Sequence, residues 1–65
     1  MKILVNGVWR ETERAELAQV LEELGYGGGV VSTAVNGEFV AAALRALTVL
    51  AEGDRVEVLA PMQGG

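Results

Sequence analysis

Polar and apolar residues alternate in short runs at both ends of the chain, and a helical stripe lies between them. Lys2–Val5 has the pattern of a strand, and the Asn6-Gly7 pair that follows suits a type I′ turn, whose two central residues both take positive φ. The chain then returns along Val8–Glu11 as a second strand. In AELAQVLEEL, Leu17, Val20, Leu21 and Leu24 fall at i, i+3, i+4 and i+7, one apolar stripe on a helix of about three turns. Thr12 is the expected N-cap, and Glu13 and Glu16 are placed to favour the positive helix end. Gly25 supplies the left-handed residue that ends the helix.

The glycines of Tyr26–Gly29 follow a helix and precede a strand. Phosphate-cradling glycines come before a helix N-terminus, so these form a connector. Val30–Val35 is a third strand, a second Asn-Gly turn falls at Asn36-Gly37, and Glu38–Val40 continues outward. Ala41–Leu47 has helical propensity but is short, which predicts a helical turn within a connection. Glu52–Asp54 is a tight turn, and Arg55–Ala60 is the last strand.

The order β-β-α-β-β-β predicts an α+β fold of the β-grasp type. One helix covers one face of a mixed sheet of four to five strands, because neither layer can hide its apolar side alone. Residues 1–60 are expected to form the β-grasp domain and residues 61–65 a flexible C-terminal Gly-Gly arm. The first and last strands are expected side by side in the middle. Val56 and Val58 then face the helix, while Leu4 and Leu59 fall on the uncovered face beside the root of the arm. Two leucines there mark a candidate partner-docking patch, set against the plain fact that scattered surface leucines are common.

Composition narrows the chemistry. The chain has 65 residues, one domain's worth, with no cysteine and no histidine. No disulfide framework or His/Cys metal site is available, and a cytoplasmic home is the expectation. The run Ile3–Val5 is too short for a signal peptide, and no window approaches a membrane span. The net charge is −4, and Lys2, Arg10, Arg14, Arg45 and Arg55 are scattered, which argues against nucleic acid. Acidity suits a basic protein partner and equally serves solubility. The side-chain hydroxyls of Thr12, Ser32, Thr33 and Thr48 have no base beside them in the sequence, so catalysis by this chain's own side chains is not expected.

The C-terminal stretch LAPMQGG offers a different reactive group. Pro61 cannot donate to a sheet ladder and is a natural point for the last strand to let go. Pro61–Gly65, fully extended, spans at most roughly 17 Å. Gly64 and Gly65 lack a Cβ and can pass a narrow slot. A free α-carboxylate is anionic at neutral pH and a poor electrophile, so acyl chemistry there needs a leaving group. Adenylation by ATP in a partner enzyme, followed by attack of sulfide or a persulfide, supplies one.

VNG at Val5–Gly7, LEELG at Leu21–Gly25, VNGEFV at Val35–Val40 and EGDRVEVLAPMQGG at Glu52–Gly65 resemble the ubiquitin-like sulfur carriers. The thiamin-pathway branch, the ThiS family, is the most similar. The resemblance spans essentially the whole chain and implies that Gly65 is adenylated and thiocarboxylated, with Gly64 its small neighbour. Pro61, Met62 and Gln63 would complete the inserted arm. It further implies a ThiF-type adenylyltransferase that consumes ATP, a persulfide sulfur donor and a ThiG-type thiazole synthase as partners, with no cofactor bound to the carrier itself. Rival acceptors are those of the molybdopterin synthase small subunit, of tRNA thiolation and of cysteine synthesis. A ubiquitin-like modifier or interaction module is the rival from another class, and Lys2, the single lysine, offers little for chain building.

Overall fold

The computed structural model describes residues 1–27 and 30–60. Pro61–Gly65, the arm of the sequence analysis, and Gly28-Gly29 of the glycine connector lie outside the described residues. Both Asn-Gly pairs form type I′ turns: φ is 49° and 82° at Asn6 and Gly7, and 51° and 84° at Asn36 and Gly37. Each turn fixes a two-residue hairpin. β1 (Lys2–Val5) pairs antiparallel with β2 (Val8–Glu11), and β3 (Ser32–Val35) with β4 (Glu38–Val40). β5 (Arg55–Leu59) lies between the hairpins, parallel to β1 and antiparallel to β3, so the five-stranded sheet runs β2-β1-β5-β3-β4. This is the expected α+β, β-grasp arrangement, with the first and last strands adjacent at its centre.

One face of the sheet is closed. Ile3, Val5, Val56 and Val58 alternate inward and meet Leu17, Val20 and Leu21 of α1 (Leu17–Glu23), with Leu50 of the later connection. Burying each of these side chains is worth about 1.5–3 kcal/mol, which is how a short chain without cross-links holds together. Tyr26, Leu24, Val31 and Val35 pack half-buried around this core.

The helix is shorter than its stripe suggests. It spans seven residues, starts at Leu17 rather than near Thr12, and has Glu16 at its N-cap with extended backbone and no side-chain cap. Its first turn holds no acidic residue: Glu16 stands at the helix end, as expected, but makes no cap bond, and Glu13 lies three residues before it. Tertiary contacts replace the cap: the Leu17 amide donates to the Thr48 carbonyl at 2.9 Å, and the Leu50 amide to the Ala15 carbonyl at 2.8 Å. Thr12 is buried elsewhere, its hydroxyl accepting from the Arg14 amide and donating to the Glu23 carboxylate at 2.6 Å. At the other end Gly25 is left-handed as expected, φ 94°. The Tyr26 amide reaches the Leu21 carbonyl at 2.8 Å and the Gly25 amide the Glu22 carbonyl at 3.1 Å, a complete Schellman closure.

The alanine-rich connection is a 3₁₀ helix, Ala42–Leu47, fulfilling the helical turn expected there. Arg45 ties it to the sheet by donating to the Thr33 hydroxyl at 3.0 Å and the Val31 carbonyl at 2.6 Å. Thr33, itself 2% exposed, donates to the Val40 carbonyl at 2.8 Å. Among the described residues no helix is long and apolar enough to cross a membrane.

Candidate functional site

Among the described residues, no helix lies over the other face of the sheet. Hairpin and strand registers decide which side chains stand there. Leu4 lies opposite Trp9 on β2 and Arg55 on β5, while Ser32 lies opposite Leu59 and Ala34 opposite both Phe39 and Glu57. Opposed residues share a face. The open face therefore carries Trp9, Leu4, Leu59 and Phe39 across the width of the sheet. Trp9 is 57% exposed, Leu59 69% and Phe39 73%.

Both leucines singled out from sequence stand on this face, but not as neighbours. Leu4 pairs with Arg55 at the entrance of β5, four residues before Leu59, roughly 13 Å away along the strand. Leu4 is half-buried between its neighbours. Leu59 instead shares a shallow slot of about 130 Å³ with Phe39, Ala34, Ser32 and Glu57. Phe39 and Trp9 were missed by sequence reasoning, although the signal was there. Once each Asn-Gly turn is accepted, two-residue closure forces 5↔8 and 4↔9 in one hairpin and 35↔38 and 34↔39 in the other.

The slot lies where β5 leaves the sheet. On one side of the strand Leu59 pairs with Ser32 and Val58 with Thr33. On the other, the β1 backbone pairs no further than Val5 and Val56, and the side chain of Asn6 takes over. Its Nδ2 donates to the Val58 carbonyl at 3.1 Å, and its Oδ1 accepts from the Val58 amide at 2.8 Å. Ala60 follows, exposed. Gly65 and the residues leading to it from Pro61 lie beyond, outside the described residues.

The entrance of β5 is equally well tied. Asn36 Oδ1 accepts from the Arg55 amide at 3.0 Å, and its Nδ2 donates to Asp54 Oδ1 at 3.0 Å. Asp54 Oδ2 accepts from the Ala51 amide at 2.8 Å. The Asn36 side chain and then the Ala51 amide hold the Asp54 carboxyl below its ordinary pKa, because both bonds favour the charged form.

The groove of about 380 Å³ between α1 and the 3₁₀ helix is lined by Leu21, Tyr26, Glu22, Ala42 and Arg45, and Arg45 is already committed to Thr33 and Val31. Among the described residues no group of three His, Cys, Asp or Glu side chains is arranged to hold a metal ion. The geometry thus offers an open apolar face and a firmly held last strand that ends beside it at Leu59.

The ThiS family model matches residues 3–65, a span that includes the Gly64-Gly65 pair. The fold is shared with the crystal structure of a thiamine biosynthesis protein (ThiS) from Geobacter metallireducens, 29% identical over the full length of both chains, TM-score 0.82. It is also shared with the NMR solution structure of a thiamine biosynthesis protein from the same organism, 29% identical, covering this chain fully and 88% of the other, TM-score 0.79. No curated protein matches the chain significantly. The family match, the full-length structural likeness and the five-stranded sheet with β5 at its centre agree, and the chain belongs to the ThiS family of small sulfur carriers.

Proposed function

We propose that the chain carries sulfur on its terminal carboxyl group for thiazole formation in thiamin biosynthesis. A ThiF-type adenylyltransferase joins the Gly65 carboxylate to the α-phosphate of ATP and releases pyrophosphate. A sulfur nucleophile then attacks the acyl adenylate and expels AMP. Sulfide gives the thiocarboxylate directly, whereas a persulfide gives an acyl disulfide that a thiol must reduce. The thiocarboxylate hands its sulfur to a ThiG-type thiazole synthase. ATP is a co-substrate of the partner, and the carrier binds no cofactor of its own. The chain acts as a co-substrate rather than as an enzyme.

The observation that carries this reading is the family match through Gly64-Gly65. The fold supports it, since β5 ends on the open face beside Leu59 and Phe39. In this reading Leu59, Phe39, Leu4 and Trp9 dock on the activating enzyme while Pro61, Met62, Gln63 and Gly64 thread its channel. Glycines at the end leave no side chain to clash with narrow channel walls.

The test is the intact mass of the chain after incubation with a ThiF-type enzyme, ATP and a sulfur source. Exchange of oxygen for sulfur adds about 16 Da to a species formed only when ATP is present. An isopeptide bond to another protein instead would make the chain a modifier, and an unchanged mass would leave an interaction module.

A further inference from the structure

The two Asn-Gly turns share a backbone conformation, yet their side chains hold opposite ends of β5. β1 donates to β5 in steps of two, from the Leu4 amide to Asp54 and from the Asn6 amide to Val56, both at 2.9 Å. The next step would fall on Val58, but the positive φ of Asn6 turns the backbone away. The Asn6 carboxamide, a copy of a peptide group, fills that step. It bonds both the amide and the carbonyl of Val58, across 52 residues of sequence. Val58 is 5% exposed, so without Asn6 two largely desolvated backbone groups would face no partner on that side.

We propose that Asn6 is a positioning residue for the C-terminal arm: its carboxamide clamps Val58 and so fixes the point at which the chain leaves the sheet for a partner's active site. The inference rests on the proposed role of Gly65. Val58 is the last β5 residue whose side chain enters the core, since Leu59 points to the open face. If it frays, the arm's root moves back into β5, and the partner must order additional backbone each time it captures the end. Each residue ordered costs enough to weaken capture by roughly tenfold. The effect belongs to capture, because the carboxylate and its channel are unchanged once bound.

Asn36 is the internal control. It too sits at positive φ, and it too makes two side-chain hydrogen bonds, to Arg55 and Asp54, but at the entrance of the same strand. The test compares Asn6→Gly with Asn36→Gly, since glycine keeps each type I′ turn unstrained. Three quantities are measured: the unfolding midpoint, amide hydrogen exchange at Val58, and KM and kcat for ATP–pyrophosphate exchange with a ThiF-type enzyme at matched folded fraction. Asn6→Gly is expected to speed exchange at Val58 at least tenfold and to raise KM about tenfold with kcat unchanged. Asn36→Gly is expected to lower the midpoint similarly and leave KM and Val58 exchange at wild-type values. Asn6→Asp, which keeps the acceptor for the Val58 amide but not the donor, should fall between. Equal KM values for the two glycine variants would overturn the inference. Should the wild type itself not be activated, the reading of Gly65 fails, and wild-type protection of Val58 in Asn6→Gly would still overturn the clamp.

Discussion

The two faces of the sheet are built from the same strands, one residue apart, and they differ in what lies over them. Ile3 and Val56 point to the helix and are fully buried. Their sequence neighbours Leu4 and Arg55 point the other way, onto a face that also exposes Trp9, Phe39 and Leu59. Apolar character alone therefore does not separate buried from exposed residues in this chain, but side of the sheet does. On the closed face a methyl group lost is a cavity. On the open face it is a little less exposed apolar surface.

That division can be broken by experiment. The largest effect is expected on the closed face, where Ile3→Ala should cost about 2–5 kcal/mol in urea or thermal unfolding, enough to unfold much of so small a domain. The matched truncation Leu59→Ala should stay within about 0.5 kcal/mol of wild type. If the two cost the same, the faces are not distinct in the way described.

Thr33→Val probes the polar part of the closed face next. The hydroxyl donates to the Val40 carbonyl and accepts from Arg45 Nε, so an isosteric methyl strands both groups. Loss of about 1–3 kcal/mol is expected. A neutral result would mean that water reaches these groups.

Charge on the open face comes third. Leu59→Glu and Phe39→Glu should leave the unfolding midpoint near wild type while weakening binding to a ThiF-type enzyme tenfold or more, measured by titration calorimetry. Wild-type affinity in both variants would remove the open face from the account.

The smallest effect concerns pH at the entrance of β5. The Asn36 side chain, and after it the Ala51 amide, hold the folded pKa of Asp54 below the ordinary carboxylate value of 3.8. A depressed folded pKa means stability that is fully present above the unfolded value of 3.8 and fades as pH falls through the folded one. Asp54 is largely solvated, so the contribution is a fraction of a kcal/mol. Asp54→Ala should lie slightly below wild type at pH 6, with the two curves converging below about pH 4. A constant gap across that range would assign the effect to something other than the carboxylate.

Much of this was legible in the sequence. The Asn-Gly pairs at 6–7 and 36–37 announced both hairpins, because few other dipeptides accept two successive positive φ values. Alternation in Arg55–Leu59 placed the valines inward, and Gly25 marked the helix end. What was not legible depended on contacts distant in sequence. The helix begins at Leu17 because the Thr48 carbonyl takes its first amide, and no local pattern encodes a partner 31 residues away. Thr12 looked like a cap but is recruited by Glu23. At the candidate site Leu4 and Leu59 could be assigned to the open face by alternation, whereas their separation required the parallel register Leu4↔Arg55. The hold of Asn6 on Val58 was hidden for the same reason: the sequence shows a turn residue, and only the sheet order reveals what its side chain reaches.

The central claim is that the working group is the carboxyl of Gly65, presented by a body that does not itself react. One additional residue after Gly65 tests it most directly, with ATP–pyrophosphate exchange and unfolding followed on the same preparation. The account predicts an unchanged unfolding midpoint and no exchange above the background of the activating enzyme alone. Exchange at the wild-type rate, with sulfur appearing on the added residue, would contradict it.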